Sequence, residues 1–200
     1  MTEVKKNNEY LTKDQLQAFL YYGYVPQRKK VDVLGLLNRY NIKAKQEKVV
    51  IFTKYRKMQA ILQSVIYDYF NVYPAIINGT IKYNRLDIID KFSIKEGFNV
   101  IILSPKAAGI GLNITAANNV IHYSREWNPA VENQATDRTY RIGQEKDVHV
   151  YYPIIRSNKG ITVEEKLDSL LEEKRELMKE MIVPTSSLNC KDKDFDDIWG

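Results

Sequence analysis

Through the middle of this chain the apolar residues switch repeatedly between continuous runs and helical spacing. Val49–Thr53 is an unbroken apolar run with the length and β-branching of a strand buried on both faces. Met58, Ile61, Leu62, Val65, Ile66 and Tyr69 then recur at a 3.6-residue period, which predicts an amphipathic helix. Ala75–Ile77 predicts a second strand, closed by the Asn78-Gly79-Thr80 turn. Leu86, Ile89 and Phe92 mark another helix, which Gly97 ends. Val100–Leu103 and Val120–Tyr123 predict two more strands, separated by the small-residue loop SPKAAGIGLNITAAN. Asn128 and Pro129 then supply a helix start and Gly143 a stop, predicting a helix over 129–141. Val148–Ile155, with a proline at 153, predicts a fifth strand.

The two ends are polar. Residues 1–29 form a lysine- and tyrosine-bearing N-terminal extension, with a helical patch around Leu11–Tyr22, and a short helix is predicted from Val31 to Arg39. Thr162 and Glu165 form a capping box that opens a highly charged helix reaching about Met181. Leu167, Leu170, Leu171, Leu177 and Met178 give that helix an apolar stripe for docking onto the body. The chain thus divides into an extension (1–29), a main lobe (30–160), a docking helix (161–183) and a mobile tail (184–200) with a possible anchor at Phe195, Ile198 or Trp199. Strands alternating with helices predict an α/β fold, a doubly wound parallel sheet flanked by helices on both faces. Ligands in such sheets sit beyond the carboxyl ends of the strands. The loops there are Thr53-Lys54, Gly79-Thr80, Ser104–Asn113 and Ser124–Asn128.

Composition narrows the class. A hydrophobic share of 44% supports a core, and no apolar run is long enough to span a membrane. The N-terminus carries no secretory h-region, and the single Cys190 excludes an intramolecular disulfide framework, so the expected setting is reducing and cytoplasmic. His122, His149 and Cys190 lie far apart, and no metal site is expected. The net charge of +5 mildly favours a polyanionic partner.

Residues 132–144, ENQATDRTYRIGQ, carry the sharpest chemistry. Gln134, Arg138 and Arg141 fall at i, i+4 and i+7, on one face of the predicted helix. Two arginines on a capped, rigid face suit the bidentate binding of phosphate oxygens. A solvated face with Asp137 and Arg141 paired at i,i+4 accounts for the same spacing. In Ser104–Asn113, Gly109, Gly111, Ala107 and Ala108 allow close approach of the backbone to another surface, while Ser104, Lys106 and Asn113 add polar reach. Gly79-Thr80 offers the same chemistry on a smaller scale. The chain has no G-x4-G-K-S/T cradle for a triphosphate, and no strand ends in an Asp-Glu pair able to hold Mg²⁺.

In order and spacing, KVVIFTKYRKMQAIL (48–62), INGTIKYNRLDIIDKF (77–92) and the span from Val100 to Gln144 with its RIGQ ending resemble the C-terminal RecA-like lobe of Swi/Snf-type ATPases, the double-stranded-DNA translocase branch of superfamily-two helicases. The likeness covers about residues 30–182, and the charged helix resembles that family's brace-like helix. The resemblance implies that Arg138 and Arg141 are catalytic arginine fingers facing the γ-phosphate of ATP. It implies an ATP-cleft and coupling role for Gly109, Gly111, Gln134 and Asp137. Thr53, Lys54, Gly79, Thr80, Ser104 and Lys106 would face the DNA backbone. ATP and Mg²⁺ would be held mainly by an N-terminal RecA-like lobe of the same protein, so this chain alone is expected to hydrolyse no ATP. The partners implied are that lobe and duplex DNA, with no membrane. Ala108, Pro105, Ser124, Asn118 and Tyr140 depart from the family's usual residues. A non-catalytic DNA-binding module of the same fold and a strand-separating helicase are the alternative readings.

Overall fold

The computed structural model describes residues 27–81, 83–108, 111–156 and 160–182. The elements run α1 (Gln27–Arg39), β1 (Lys48–Phe52), α2 (Arg56–Phe70), β2 (Ala75–Ile77), α3 (Arg85–Ile94), β3 (Asn99–Leu103), α4 (Pro105–Ala108), β4 (Asn119–His122), α5 (Pro129–Thr136), β5 (His149–Tyr151) and α6 (Val163–Ile182). The strands pair in the order β2-β3-β1-β4-β5, every pairing parallel. Val50 on the central strand faces Ile101 on one side and Val120 on the other.

Successive side chains of a strand point to opposite faces, and the central strands use both. Val49, Ile51, Val100, Ile102 and Ile121 pack with α1 and α2 through Val33, Leu36, Leu37, Met58, Leu62 and Ile66. Val50, Phe52, Ile101, Leu103 and Val120 face the other layer, with Ile89 and Phe92 of α3 and Ala135 of α5. This two-sided burial explains why the strand sequences are continuous apolar runs, and it gives the doubly wound architecture the sequence predicts.

Four local expectations change. α1 begins at Gln27, before the predicted Val31. On α2 the buried stripe runs Met58, Leu62, Ile66 and Phe70, so Tyr69 is exposed and its hydroxyl accepts from Asn38 Nδ2 at 3.0 Å. β5 stops at Tyr151, two residues before Pro153, which has no N–H for the ladder.

The fourth is the predicted helix 129–141, which ends at Thr136. Thr139 N donates to Thr136 O (2.8 Å) and Arg138 N to Ala135 O (3.3 Å), both tight three-residue closures. The Arg138 carbonyl accepts from Ile114 N at 2.8 Å. That tertiary bond holds the turn beyond the helix end. Gln134 therefore lies on α5, while Arg138 and Arg141 lie on the turn beyond it.

At the start of α5 the Asn128 side chain accepts from Ala130 N at 3.0 Å, with Pro129 in the first turn. The Thr162–Glu165 capping box forms in both directions, Glu165 N to Thr162 Oγ1 at 3.1 Å and Thr162 N to Glu165 Oε2 at 2.7 Å. The helical patch at Leu11–Tyr22 and the tail after 183 lie outside the described residues. Among those described, no helix is long and apolar enough to cross a membrane.

Candidate functional site

The carboxyl ends of β1, β2, β3 and β4 meet in one hydrogen-bonded rim. Thr53 N donates to Leu103 O (3.0 Å), Ser104 N to Ile77 O (3.0 Å) and Tyr123 N to Phe52 O (2.9 Å), so the ladder continues one residue into each loop. Beneath the rim runs a polar chain. Gln59 Nε2 donates to Thr53 O (2.9 Å), Gln59 Oε1 accepts from Asn78 Nδ2 (2.7 Å), and Asn78 Oδ1 accepts from Thr80 N (3.0 Å). Gln59 is buried with every one of these groups satisfied, which makes the chain a rigid support for the β1 and β2 loops.

Thr53 is 0% exposed, and its hydroxyl lies 3.5 Å from Ser124 Oγ. It therefore supports the rim from below and is not at the surface, where the family resemblance places it. Lys54 is exposed and its backbone N–H donates to Ser124 Oγ at 3.3 Å. Gly79 and Thr80 are exposed; Lys106 is exposed on α4, and half-buried Ser104 caps that helix by accepting from Ala107 N at 3.3 Å. Burial raises the pKa of Glu126 and the nearby Glu132 adds to this, while Lys54 and Lys106 act in the opposite sense. One half-buried carboxylate thus sits in the field of both exposed lysines.

The arginine-bearing turn is tied to the loop that leaves α4, through Ile114 N and the Arg138 carbonyl. Arg141 is exposed, whereas the Nε of Arg138 is buried with no hydrogen-bond partner among the described residues. The far end of the turn is clamped by Gln144, whose Nε2 donates to Thr115 O at 2.9 Å and Ala117 O at 2.7 Å. Gly143 has φ +101°, a conformation that favours glycine, and lets the chain reverse there. Gly111, with φ +67°, is exposed in the loop that Ile114 ties to Arg138. Gln134 and Asp137 are exposed; Asp137 N caps α5 by donating to Asn133 O at 2.8 Å. Gly109 lies outside the described residues. None of them forms a metal-binding cluster of three or more His, Cys, Asp or Glu side chains.

Behind α5 lies an ion cluster that periodicity could not reveal. Glu132 is fully buried; its Oε1 accepts from Arg125 Nε (3.0 Å) and Glu126 N (2.8 Å), and its Oε2 from Arg125 Nη2 (3.2 Å) and Arg175 Nη2 (2.7 Å). Arg125 also pairs with Asp168, and Arg175 with Glu172, both on α6. The Tyr152 ring lies 4.2 Å from the Arg125 guanidinium carbon.

His122 continues this column. Its ring stacks on Phe52 (5.2 Å) and Tyr152 (5.1 Å), and Nε2 lies 2.8 Å from Thr136 Oγ1. Burial, then the charges of Arg125 and Arg175, hold its pKa at about 3. The unfolded chain takes up a proton near pH 6.5 that the folded ring refuses, so stability is lost as pH falls below that value and continues to fall toward pH 3. Between pH 7 and pH 5 the His122 contribution amounts to about 2 kcal/mol. Urea unfolding at the two pH values should show that extra loss in the wild type and its absence in His122→Phe.

The five-stranded parallel sheet with helices on both faces is the RecA-like architecture of SWI2/SNF2 ATPase C-terminal domains. The family model "Helicase conserved C-terminal domain" matches residues 28–143, and the chain belongs to that family, within its Swi/Snf branch. It is 47% identical over 153 residues to Zorya protein ZorD of Escherichia coli, covering 74% of this chain and 14% of that protein. Identity is again 47%, over 142 residues, to the putative ATP-dependent helicase/translocase YwqA of Bacillus subtilis, covering 70% of this chain and 15% of that one. Among solved structures, the Sulfolobus solfataricus SWI2/SNF2 ATPase core domain superposes with TM-score 0.63 at 35% identity, over 82% of this chain and 33% of that one. The chain spans only about a seventh of the length of these two curated relatives.

Proposed function

We propose that this lobe completes the ATP site of a two-lobed, double-stranded-DNA translocase, with Arg138 and Arg141 as arginine fingers. The observation that carries the reading is a turn fixed at both ends that bears two arginines three residues apart, Arg138 half-buried and Arg141 exposed. A guanidinium held in place before charge develops on a transferring phosphoryl group stabilises that charge without reorganising. ATP and Mg²⁺ would be bound mainly by an N-terminal lobe carrying the P-loop and metal-binding carboxylates; from this chain only the two guanidiniums would reach the phosphates. Mg²⁺ supplies charge neutralisation at the phosphates when bound.

The rim of Lys54, Gly79, Thr80, Ser104 and Lys106 would follow the DNA backbone, positioning the duplex without reading its sequence. Ile114 N, bonded to Arg138 O, joins the loop after α4 to the finger turn, so a shift at the rim reaches the arginines through one hydrogen bond. Opening and closing of the two lobes would then advance the duplex.

The test is ATP hydrolysis by a protein joining this lobe to its nucleotide-binding lobe, with and without duplex DNA. Duplex should stimulate turnover and single strands should not be displaced; an unstimulated rate would contradict the reading. Lys54→Ala and Lys106→Ala should each weaken duplex binding equally for all sequences and reduce the salt slope by about 1.

A further inference from the structure

α5 has only eight residues, too few to hold its own orientation, and the arginine turn hangs from its end. Four inward residues fix it: Pro129 and Ala135, both buried, Thr136 against His122, and Glu132. Glu132 differs from the others in taking a directional bond from α6. Its two oxygens accept the four hydrogen bonds described above, so each lone pair is used, and one bond comes from Arg175 on α6. Arg125, which grips the same carboxylate in a two-pronged fashion, also pairs with Asp168 of α6. The cluster therefore joins α6 to α5 through a single carboxylate.

As a source of stability this arrangement is poor, because desolvating the charges costs about what their attraction returns and apolar residues of similar volume would serve as well. What a four-bonded carboxylate supplies, and apolar packing does not, is a fixed register. A slide of α6 along the body would strain the Arg175–Glu132 bond and the Arg125–Asp168 pair together, and α5 would have to follow.

We infer that Glu132 is a positioning residue for the arginine pair, fixing α5 and its terminal turn to α6, so that the placement of α6 governs the placement of Arg138 and Arg141. This rests on the finger reading above. Arg175 is the outer half of the connection, and the Arg125–Glu132 pair is the inner half.

The test compares Glu132→Gln, Arg175→Met and Arg141→Ala in the protein that joins this lobe to its nucleotide-binding lobe. Glu132→Gln keeps the shape and removes the charge. Both Glu132→Gln and Arg175→Met should lower duplex-stimulated kcat about tenfold or more with KM for ATP within about twofold, because misplacement of a group that acts in the transition state affects kcat selectively. Hydrogen exchange should rise about tenfold in residues 137–144 and stay unchanged in β1 and β3, separating local loosening from general destabilisation. Wild-type kcat in both variants, with Arg141→Ala inactive, would overturn this inference and leave the finger reading standing. If Arg141→Ala is itself fully active, the finger reading fails and exchange alone decides: unchanged protection of 137–144 would overturn the anchoring role too. Should Glu132→Gln not fold, Arg175→Met, which leaves the inner pair intact, carries the decision by the same two readouts.

Discussion

Arg141→Ala, in a protein joining this lobe to its nucleotide-binding lobe, is expected to lower duplex-stimulated ATP hydrolysis by about 10³-fold or more. The magnitude follows from what a finger does: it meets charge that exists only as the phosphoryl group transfers, so its loss appears in kcat and hardly in the binding of ATP. Arg141 is exposed and takes no part in the core, so the variant should fold and bind duplex as the wild type does. Arg138→Ala should show a similar loss of turnover with a small cost in stability, since its side chain is partly buried. Steady-state hydrolysis, with duplex affinity and urea unfolding measured in parallel, checks all three parts.

The second large effect concerns the ion cluster. Arg125→Ala removes both prongs from Glu132, the pairing with Asp168 and the guanidinium over Tyr152. It leaves Glu132 buried with Arg175 and the Glu126 N–H as its remaining donors. Breaking a buried pair from one side costs about 3–5 kcal/mol, because the desolvated charge stays behind. Urea unfolding of the chain should report a loss of that size. A loss below about 1 kcal/mol would mean that water reaches Glu132 freely and that the cluster is no more than a surface network.

The sheet was legible in the sequence because a doubly wound strand buries both faces. Val49 to Phe52 and Val100 to Leu103 read as strands from apolar continuity alone, and the structure buries them on alternate sides. The caps of α5 and α6 were legible as well, since Asn128 and Thr162 act through neighbours two and three residues away. Tertiary hydrogen bonds were not. The turn beyond α5 is held by Ile114 N reaching the Arg138 carbonyl, a contact 24 residues back that no local propensity encodes. The single-face picture of Gln134, Arg138 and Arg141 therefore does not hold: Gln134 lies on the helix and the two arginines on the turn.

Thr53 shows a second limit. Threonine after a strand reads equally well as a surface contact or a buried support, and only the positions of Gln59 and Ser124 decide between them. Gln59 was hidden inside an amphipathic helix, where one polar residue beside the apolar stripe looks like the stripe's edge. Glu132, Arg125 and Arg175 were hidden by distance along the chain, with Arg175 43 residues from its partner. A local signal for the cluster did exist, in that Arg125 and Glu132 flank a helix start, but charges at a helix start are usually solvated.

The central claim, that the arginine turn meets phosphoryl charge across a cleft between two lobes, is tested most directly by trapping a transition-state mimic. ADP with aluminium fluoride and Mg²⁺ would be offered to the two-lobed protein in the presence of duplex, and retained nucleotide measured after gel filtration. The account predicts stoichiometric trapping by the wild type and its loss in Arg141→Ala, with binding of a non-hydrolysable ATP analogue unchanged. Equal trapping by both proteins would contradict it.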